Sequence, residues 1–202
     1  MKIICVGRNY VDHAKELNNP VPKKPLLFMK PDTAILNRGR AFYYPDFSEE
    51  IHDEAEVVLK ICRNGRSIEP EFASKYYQEM TLGLDMTARD VQRKCKEKGH
   101  PWEIAKAFDH SAVIGTFISS ADFEANNIPF SLTKNGETVQ KANTKDLIFP
   151  FDYLISYISS YFKLHIGDLI FTGTPAGVGP VKIGDKLEGF IGDKQLLSCE
   201  IR

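Results

Sequence analysis

Glu54 and Glu56 stand one residue apart in His52-Asp53-Glu54-Ala55-Glu56, directly before the apolar run Val57-Val58-Leu59-Lys60-Ile61. That run reads as a strand, and residues two apart on a strand share a face. Two carboxylates are then set side by side against apolar surface, where like charges repel and need neutralising. Asp85 ends a second strand-like run, Met80-Thr81-Leu82-Gly83-Leu84-Asp85. Three carboxylates meeting at one point favour a hard divalent cation with oxygen ligands, Mg²⁺ or Mn²⁺. The competing reading is a salt-bridged charged face. Glycosidase acids must flank a bond from opposite sides, which same-face neighbours do not. A Ca²⁺ site has no EF-hand loop to support it.

Other residues offer chemistry of their own. His13 and Glu16, in Arg8-Asn9-Tyr10-Val11-Asp12-His13-Ala14-Lys15-Glu16, are neighbours if the segment makes two helical turns. A carboxylate orients an imidazole and raises its basicity, as a general base requires; a solvated surface helix is the plainer alternative. Asn18-Asn19-Pro20-Val21-Pro22-Lys23-Lys24-Pro25 ends the helix and suits either a tether for a mobile lid or an ordinary loop. Asp85 leads into a helix start carrying Arg89, Asp90 and Gln92. Gln92 is placed to hydrogen-bond a substrate or to face solvent, and Arg89 and Asp90 to pair with other charges. Lys106 lies in the apolar run Trp102-Glu103-Ile104-Ala105-Lys106-Ala107-Phe108. If that run is a strand, the lysine is partly buried and needs an anion; otherwise it snorkels. The loop Phe171-Thr172-Gly173-Thr174-Pro175-Ala176-Gly177-Val178-Gly179-Pro180 fits neither nucleotide-binding fingerprint. It can present N–H groups and Thr hydroxyls to a carboxylate, or simply connect two elements.

Short apolar runs that read as strands must position these groups: 2–6, 26–29, 55–62, 80–85, 112–118, 168–171, 185–191 and 195–201. Asn135-Gly136 predicts a type I′ hairpin, and Gly192-Asp193 a weaker one. Thr87-Ala88-Arg89-Asp90 resembles a capping box with Asp in the Glu place, and Gly99 would end that helix. Pro150 opens a helix reaching Phe162, and a third helix is expected over 71–79. Strands and helices do not alternate regularly, which favours a strand-rich α+β domain over a doubly wound parallel sheet. The 202 residues carry a net charge of −1 and no basic tract, so nucleic acid and anionic membranes are not expected partners. The first apolar run is too short for a signal peptide, and no stretch is long enough for a membrane span. Cys5, Cys62, Cys95 and Cys199 are scattered, which disfavours zinc or a disulfide framework and predicts reduced thiols in the cytoplasm. Cys5 and Cys62 are expected in the core.

Taken together, these segments resemble the fumarylacetoacetate hydrolase family, in its small single-domain branch of acylpyruvases and oxaloacetate decarboxylases. The likeness runs from Val6-Gly7-Arg8-Asn9-Tyr10 through Leu26-Leu27-Phe28-Met29-Lys30-Pro31 and the Glu-x-Glu strand. It continues through Leu84-Asp85-Met86-Thr87-Ala88-Arg89-Asp90-Val91-Gln92, Ala105-Lys106-Ala107-Phe108-Asp109 and Thr172-Gly173-Thr174-Pro175 to Gly177-Val178-Gly179. The resemblance implies one rolled, mostly β catalytic domain over 1–202, barrel-like with a few short helices, a lid helix within 1–25, and a homodimer. It implies Mg²⁺ or Mn²⁺ held by Glu54, Glu56 and Asp85. It further implies Lys106 beside the metal, Gln92, Thr174 and Arg8 on the substrate, and His13 with Glu16 as the catalytic pair. One departure is visible: Asp53 stands where the family often has a second histidine.

The implied activity is metal-dependent cleavage of a carbon–carbon bond in a small 2-oxo acid. It would be acylpyruvate hydrolysis, oxaloacetate decarboxylation or both, with pyruvate enolate as the common product. An isomerase or decarboxylase of the 2-hydroxyhepta-2,4-diene-1,7-dioate type is the alternative within the family. A non-catalytic small-molecule-binding protein is the alternative outside it.

Overall fold

The computed structural model describes residues 1–16 and 20–202. The start of the expected tether, Asn18-Asn19, lies outside the described residues. In chain order the strands are β1 (Ile3–Gly7), β2 (Leu26–Lys30), β3 (Ile35–Leu36), β4 (Ile51–Asp53), β5 (Ala55–Ile61), β6 (Tyr77–Asp85), β7 (Thr87–Ala88) and β8 (Ala112–Ile114). They continue as β9 (Ile118–Ser119), β10 (Pro129–Lys134), β11 (Glu137–Asn143), β12 (Leu169–Phe171), β13 (Gly179–Pro180), β14 (Lys186–Ile191) and β15 (Lys194–Glu200). The α-helices are α1 (Val11–Glu16), α2 (Arg89–Lys98), α3 (Glu103–Lys106) and α4 (Phe151–Tyr161). The fold is mostly β with a few short helices, and among the described residues no helix is long and apolar enough to cross a membrane.

The main sheet runs β2-β1-β12-β5-β6-β8-β3, with β9 also paired to β6. Only β1 with β12 and β3 with β8 are parallel among its pairs. Its central strands are apolar on both faces: β1, β5, β6 and β12 bury Ile4, Val57, Val58, Leu59, Leu82 and Phe171 almost completely. One face packs on α4 through Leu154, Ile155 and Ile158. Each such side chain contributes about 1.5–3 kcal/mol on burial. A four-stranded antiparallel sheet, β11-β10-β14-β15, brings Leu132, Leu187 and Leu197 against Ala55 and Leu84 at the ends of β5 and β6. A small sheet of β13-β4-β7 completes the strand set.

Both hairpins form where turn chemistry places them. Asn135 and Gly136 both take positive φ, 55° and 86°, as a type I′ turn requires. Gly192, at φ 57°, turns β14 into β15. The helix expected over 71–79 forms only in part, as a 3-10 helix that stops at Tyr76. Pro70–Tyr76 winds as a 3-10 helix, and the chain then enters β6, which pairs with β5 from Ala55↔Leu84 to Ile61↔Tyr77. Sheet pairing outweighs local helical preference there. The run 112–118 is broken between β8 and β9, at a tight point where a Cβ on Gly115 would lie 2.7 Å from the carbonyls of Leu196 and Leu82. The capping box also fails. Ala88 is the N-cap of α2 with no side-chain cap, because Thr87 is drawn into β7 and turns its hydroxyl elsewhere. Gly99 ends α2 as expected, in the left-handed conformation. Cys5 is buried, whereas Cys62 is only half-buried; all four thiols are free.

Candidate active site

The β5–β6 register builds the acidic centre. Ala55 pairs with Leu84, so Asp85 at the end of β6 falls beside Glu54, and Asp85 N–H donates to the Glu54 carbonyl at 2.9 Å. Glu54 is not within a strand but sits at the break between β4 and β5. Even so, one carboxylate oxygen from each of Glu54, Glu56 and Asp85 lies within 4.8 Å of the others, and all three residues are buried.

Three buried cations surround these acids. Lys106 Nζ donates to Glu54 Oε2 (2.8 Å), Asp85 Oδ2 (2.7 Å) and Thr87 Oγ1 (2.6 Å). Arg89 grips Glu54 Oε1 at 2.5 Å and Gln92 Oε1 at 2.8 Å. Lys30 Nζ stands 2.7 Å from Asp85 Oδ1 without hydrogen-bond alignment, while donating to the Ser111 hydroxyl and to the Lys106 carbonyl. Burial alone would raise the Glu54 carboxyl, but Lys106 and Arg89 outweigh it and hold it well below its usual range. Glu56 goes the other way. Burial first, then Asp85 and Glu54, push it well above its usual value. It accepts a hydrogen bond from the Gly173 N–H at 2.7 Å, and no cationic side chain bonds it among the described residues. Lys106 is raised on balance, because Asp85 and Glu54 outweigh its burial.

Two anchors hold the far side. Asn9 donates to the carbonyls of Phe149 and Thr172 at 3.0 and 2.8 Å and accepts from Phe149 N–H. Gly173 then passes at φ 109°, where a Cβ would lie 2.6 Å from Asn9 Cβ, so only glycine fits. Gln140, from β11, accepts from Ala55 N–H at 2.9 Å and donates to Thr174 Oγ1 and the Pro175 carbonyl at 2.9 and 3.0 Å. The backbone between the two glutamates is thereby tied to the Thr174 loop.

His13 is buried on α1, and its Nδ1 lies 3.3 Å from Glu16 Oε2. Burial lowers the imidazole below its ordinary value, outweighing the nearby Glu54 and Glu16, so it is neutral at neutral pH and able to accept a proton. Glu16 Oε1 accepts from Gly177 N–H at 3.0 Å, which joins α1 to the Thr172–Pro180 segment. Arg8, with φ 60°, lines the same cavity as His13, the three acids, Gln92, Lys106 and Thr174. Glu16 stands behind His13 instead of lining it. Asp53 lies apart from the cavity, wholly buried. Burial lifts its carboxyl to about 6 against the pull of Lys134, whose Nζ is 3.4 Å away.

Thus Arg8, His13, Gln92, Lys106, Thr174 and the three acids meet at one cavity with Glu16 behind His13, whereas Asp90 accepts from the Ser48 hydroxyl instead, and one expectation changes. Lys106 is carried by the short helix α3, not a strand, and its neighbour is the acid cluster itself. Arg89 pairs with another charge as expected, and the partner is the buried Glu54. Lys30 and Gln140 were not foreseen. A signal existed for Arg89, which is three residues before Gln92 and so shares its helix face. Another existed for Lys30, a lysine closing the apolar run Leu26–Met29.

The donor set fits a hard divalent cation. It is all carboxylate oxygen, it is buried, Glu56 lacks a cationic partner among the described residues, and Asp85 Oδ1 has no aligned donor.

Known proteins resemble this chain in sequence and fold. The chain is 46% identical over 187 residues to a protein of Arabidopsis thaliana named oxaloacetate tautomerase FAHD1, mitochondrial, covering 92% of this chain and 84% of that one. It is 42% identical over 188 residues to oxaloacetate tautomerase YcgM of Escherichia coli, covering 92% and 86%. The fold superposes with a TM-score of 0.94 on fumarylpyruvate hydrolase from Pseudomonas aeruginosa in complex with Mn²⁺ and pyruvate, at 37% identity, over 100% of this chain and 89% of that one. Residues 2–202 match the fumarylacetoacetate (FAA) hydrolase C-terminal family, and the chain belongs to it.

Proposed function

We propose that this protein is a divalent-metal-dependent enzyme acting on small 2-oxo acids of the oxaloacetate and acylpyruvate type, by forming the enol beside the 2-oxo group. The observation that carries this reading is the meeting of the Glu54–Glu56–Asp85 cluster, Lys106 and the Glu16-oriented His13 around one cavity. The names of the relatives, oxaloacetate tautomerase and fumarylpyruvate hydrolase, support the same substrate class.

A Mg²⁺ or Mn²⁺ ion held by Glu54, Glu56 and Asp85 would supply a Lewis acid for the carboxylate and keto oxygens of a 2-oxo acid. Lys106 contributes a fixed positive charge near the oxygen on which negative charge builds. Glu16 holds His13 through Nδ1, which leaves Nε2 as the proton-transfer atom. In tautomerisation His13 takes the C3 proton and a proton is returned to the keto oxygen, so the composition is unchanged. In decarboxylation the bond to carbon dioxide breaks, its electron pair stays on C3, and a proton is later added there. In acylpyruvate hydrolysis His13 takes a proton from water as its oxygen attacks the distal carbonyl. The carbon–carbon bond then breaks with its electron pair left on C3, and the proton held by His13 is added there, giving pyruvate and a carboxylic acid that ionises. We assign α1 as a lid over this chemistry, with the Glu16–Gly177 hydrogen bond as its latch.

The test is a panel of oxaloacetate, acetylpyruvate and a ring-cleavage diacid, followed by absorbance with Mg²⁺, Mn²⁺ or chelator. Metal-dependent conversion of oxaloacetate or acetylpyruvate is expected. No metal-dependent change in any substrate would favour a binding protein instead. If Glu16→Ala hydrolyses acetylpyruvate at the native rate, the hydrolytic role of the His13–Glu16 pair is wrong.

A further inference from the structure

Helix α2 turns one face to the cavity. Arg89, Gln92 and Lys96 are three and four residues apart and so stack along that face, and all three line the cavity. The inner two are engaged, Arg89 by Glu54 and Gln92 by Arg89. Lys96 stands one turn further out, roughly 6 Å along the helix axis from Gln92. It is exposed at the mouth, its ammonium 5.4 Å from the centroid of the Trp102 ring. Arg8 lines the same cavity. Among the described residues, neither Lys96 nor Arg8 has a carboxylate within ion-pair distance, in contrast to Lys30, Arg89 and Lys106.

Unmatched cations at the mouth of a cavity whose inner cations are matched form a receiver for an anion. A divalent ion held by the inner acids, with Lys106, would account for the 2-oxo carboxylate end of a substrate, so the anion met by the outer pair belongs to the other end. We propose that Lys96, with Arg8, binds a second carboxylate on the substrate and makes the site selective for dicarboxylic 2-oxo acids over acylpyruvates with an uncharged tail. The inference rests on the 2-oxo acid reading above and narrows its substrate class.

Two further observations agree. Partial burial, then repulsion from Arg8 and Arg89, hold the Lys96 ammonium down at about 8, a strain that an arriving carboxylate relieves. The Trp102 face confines the ammonium by cation–π attraction, so less freedom is lost when a carboxylate docks.

The test compares 2-oxoglutarate with 2-oxovalerate, which has the same chain length and no distal carboxylate. Calorimetric titration of the Mn²⁺-loaded native protein should give tighter binding of 2-oxoglutarate by about tenfold, the worth of one charge-assisted hydrogen bond. Lys96→Met should bring the affinity ratio near one, and Lys96→Arg should restore most of it. The ratio of kcat/KM for oxaloacetate over acetylpyruvate should fall in parallel, mainly through KM. No diacid preference in the native protein, or a Lys96→Met variant that keeps it, would overturn the proposal. A native protein that converts neither substrate would refute the proposed activity, while the binding preference would still be decided by calorimetry.

Discussion

Gln140 offers a sharp test of how the site is held. It lies on the second sheet, yet its amide joins three groups at the centre: Ala55 N–H, the Thr174 hydroxyl and the Pro175 carbonyl, at 2.9, 2.9 and 3.0 Å. Ala55, Thr174 and Pro175 are all buried, so water cannot replace the lost partner. Gln140→Leu is close in size and leaves a small void at most, so the cost falls on polar groups. The Thr174 oxygen loses one donor but its own O–H stays free to bond, whereas the Ala55 N–H and the Pro175 carbonyl are fixed by the backbone. Two orphaned buried groups at about 1–3 kcal/mol each give a loss near 3–4 kcal/mol. For a chain of 202 residues the unfolding entropy is about 0.4 kcal/mol/K, so the melting midpoint should drop by roughly 7–10 °C. Urea unfolding followed by circular dichroism measures the loss directly, with the slope unchanged if the two end states are the same. Activity should fall further than stability accounts for, because Ala55 lies between Glu54 and Glu56. A loss below about 1 kcal/mol would refute the reasoning, since it would mean that these groups find other partners.

Gly173→Ala should cost about 2 kcal/mol or more, from its φ of 109° and the 2.6 Å approach to Asn9 Cβ, and a native melting midpoint in that variant would contradict the packing described. Mn²⁺ at a hundredfold over its Kd should stabilise the native protein by about 2.7 kcal/mol, and Glu56→Ala should largely abolish that rise in a thermal-shift assay. Asp168 accepts from Lys2 N–H, Lys2 Nζ and His165 N–H, and these bonds overcome its burial and lower its carboxyl. A lowered carboxyl stabilises the fold above the unfolded value of about 4 and loses that contribution as pH falls through the lower, folded value. Asp168→Asn should therefore be less stable than native at pH 6, and the gap should close in acid; a gap independent of pH would count against the assignment.

The chemistry was more legible in the sequence than the elements that hold it. Glu54 and Glu56 announced themselves because two acids beside an apolar run pose a local electrostatic problem. His13 and Glu16 did so because three residues is a helical contact distance. Lys30 and Gln140 did not, since each acts across a long sequence separation: Lys30 on Asp85, and Gln140 on Ala55 and Thr174. Local pattern marks Lys30 as a lysine closing an apolar run, but it carries no trace of either residue's partners. The helix expected over 71–79 was cut short, and the capping box at Thr87 failed, for one reason. In both places strand pairing claimed residues whose local preference pointed elsewhere. Glu54 and Glu56 do converge as strand alternation implies, although the strand is interrupted at Glu54.

The place of β1 in the main sheet sets a condition on how the protein is made. It lies between β2 and β12, and its parallel partner begins at Leu169. As the chain leaves the ribosome, β1 and β2 can pair early, but one edge of β1 has no partner until β12 emerges. The same delay applies to Asn9, whose carbonyl partners are Phe149 and Thr172. The cavity therefore closes among the last events of synthesis, by contacts of high sequence separation that fold slowly. Through that interval the nascent protein exposes an apolar, unpaired strand edge, the kind of surface on which chains aggregate.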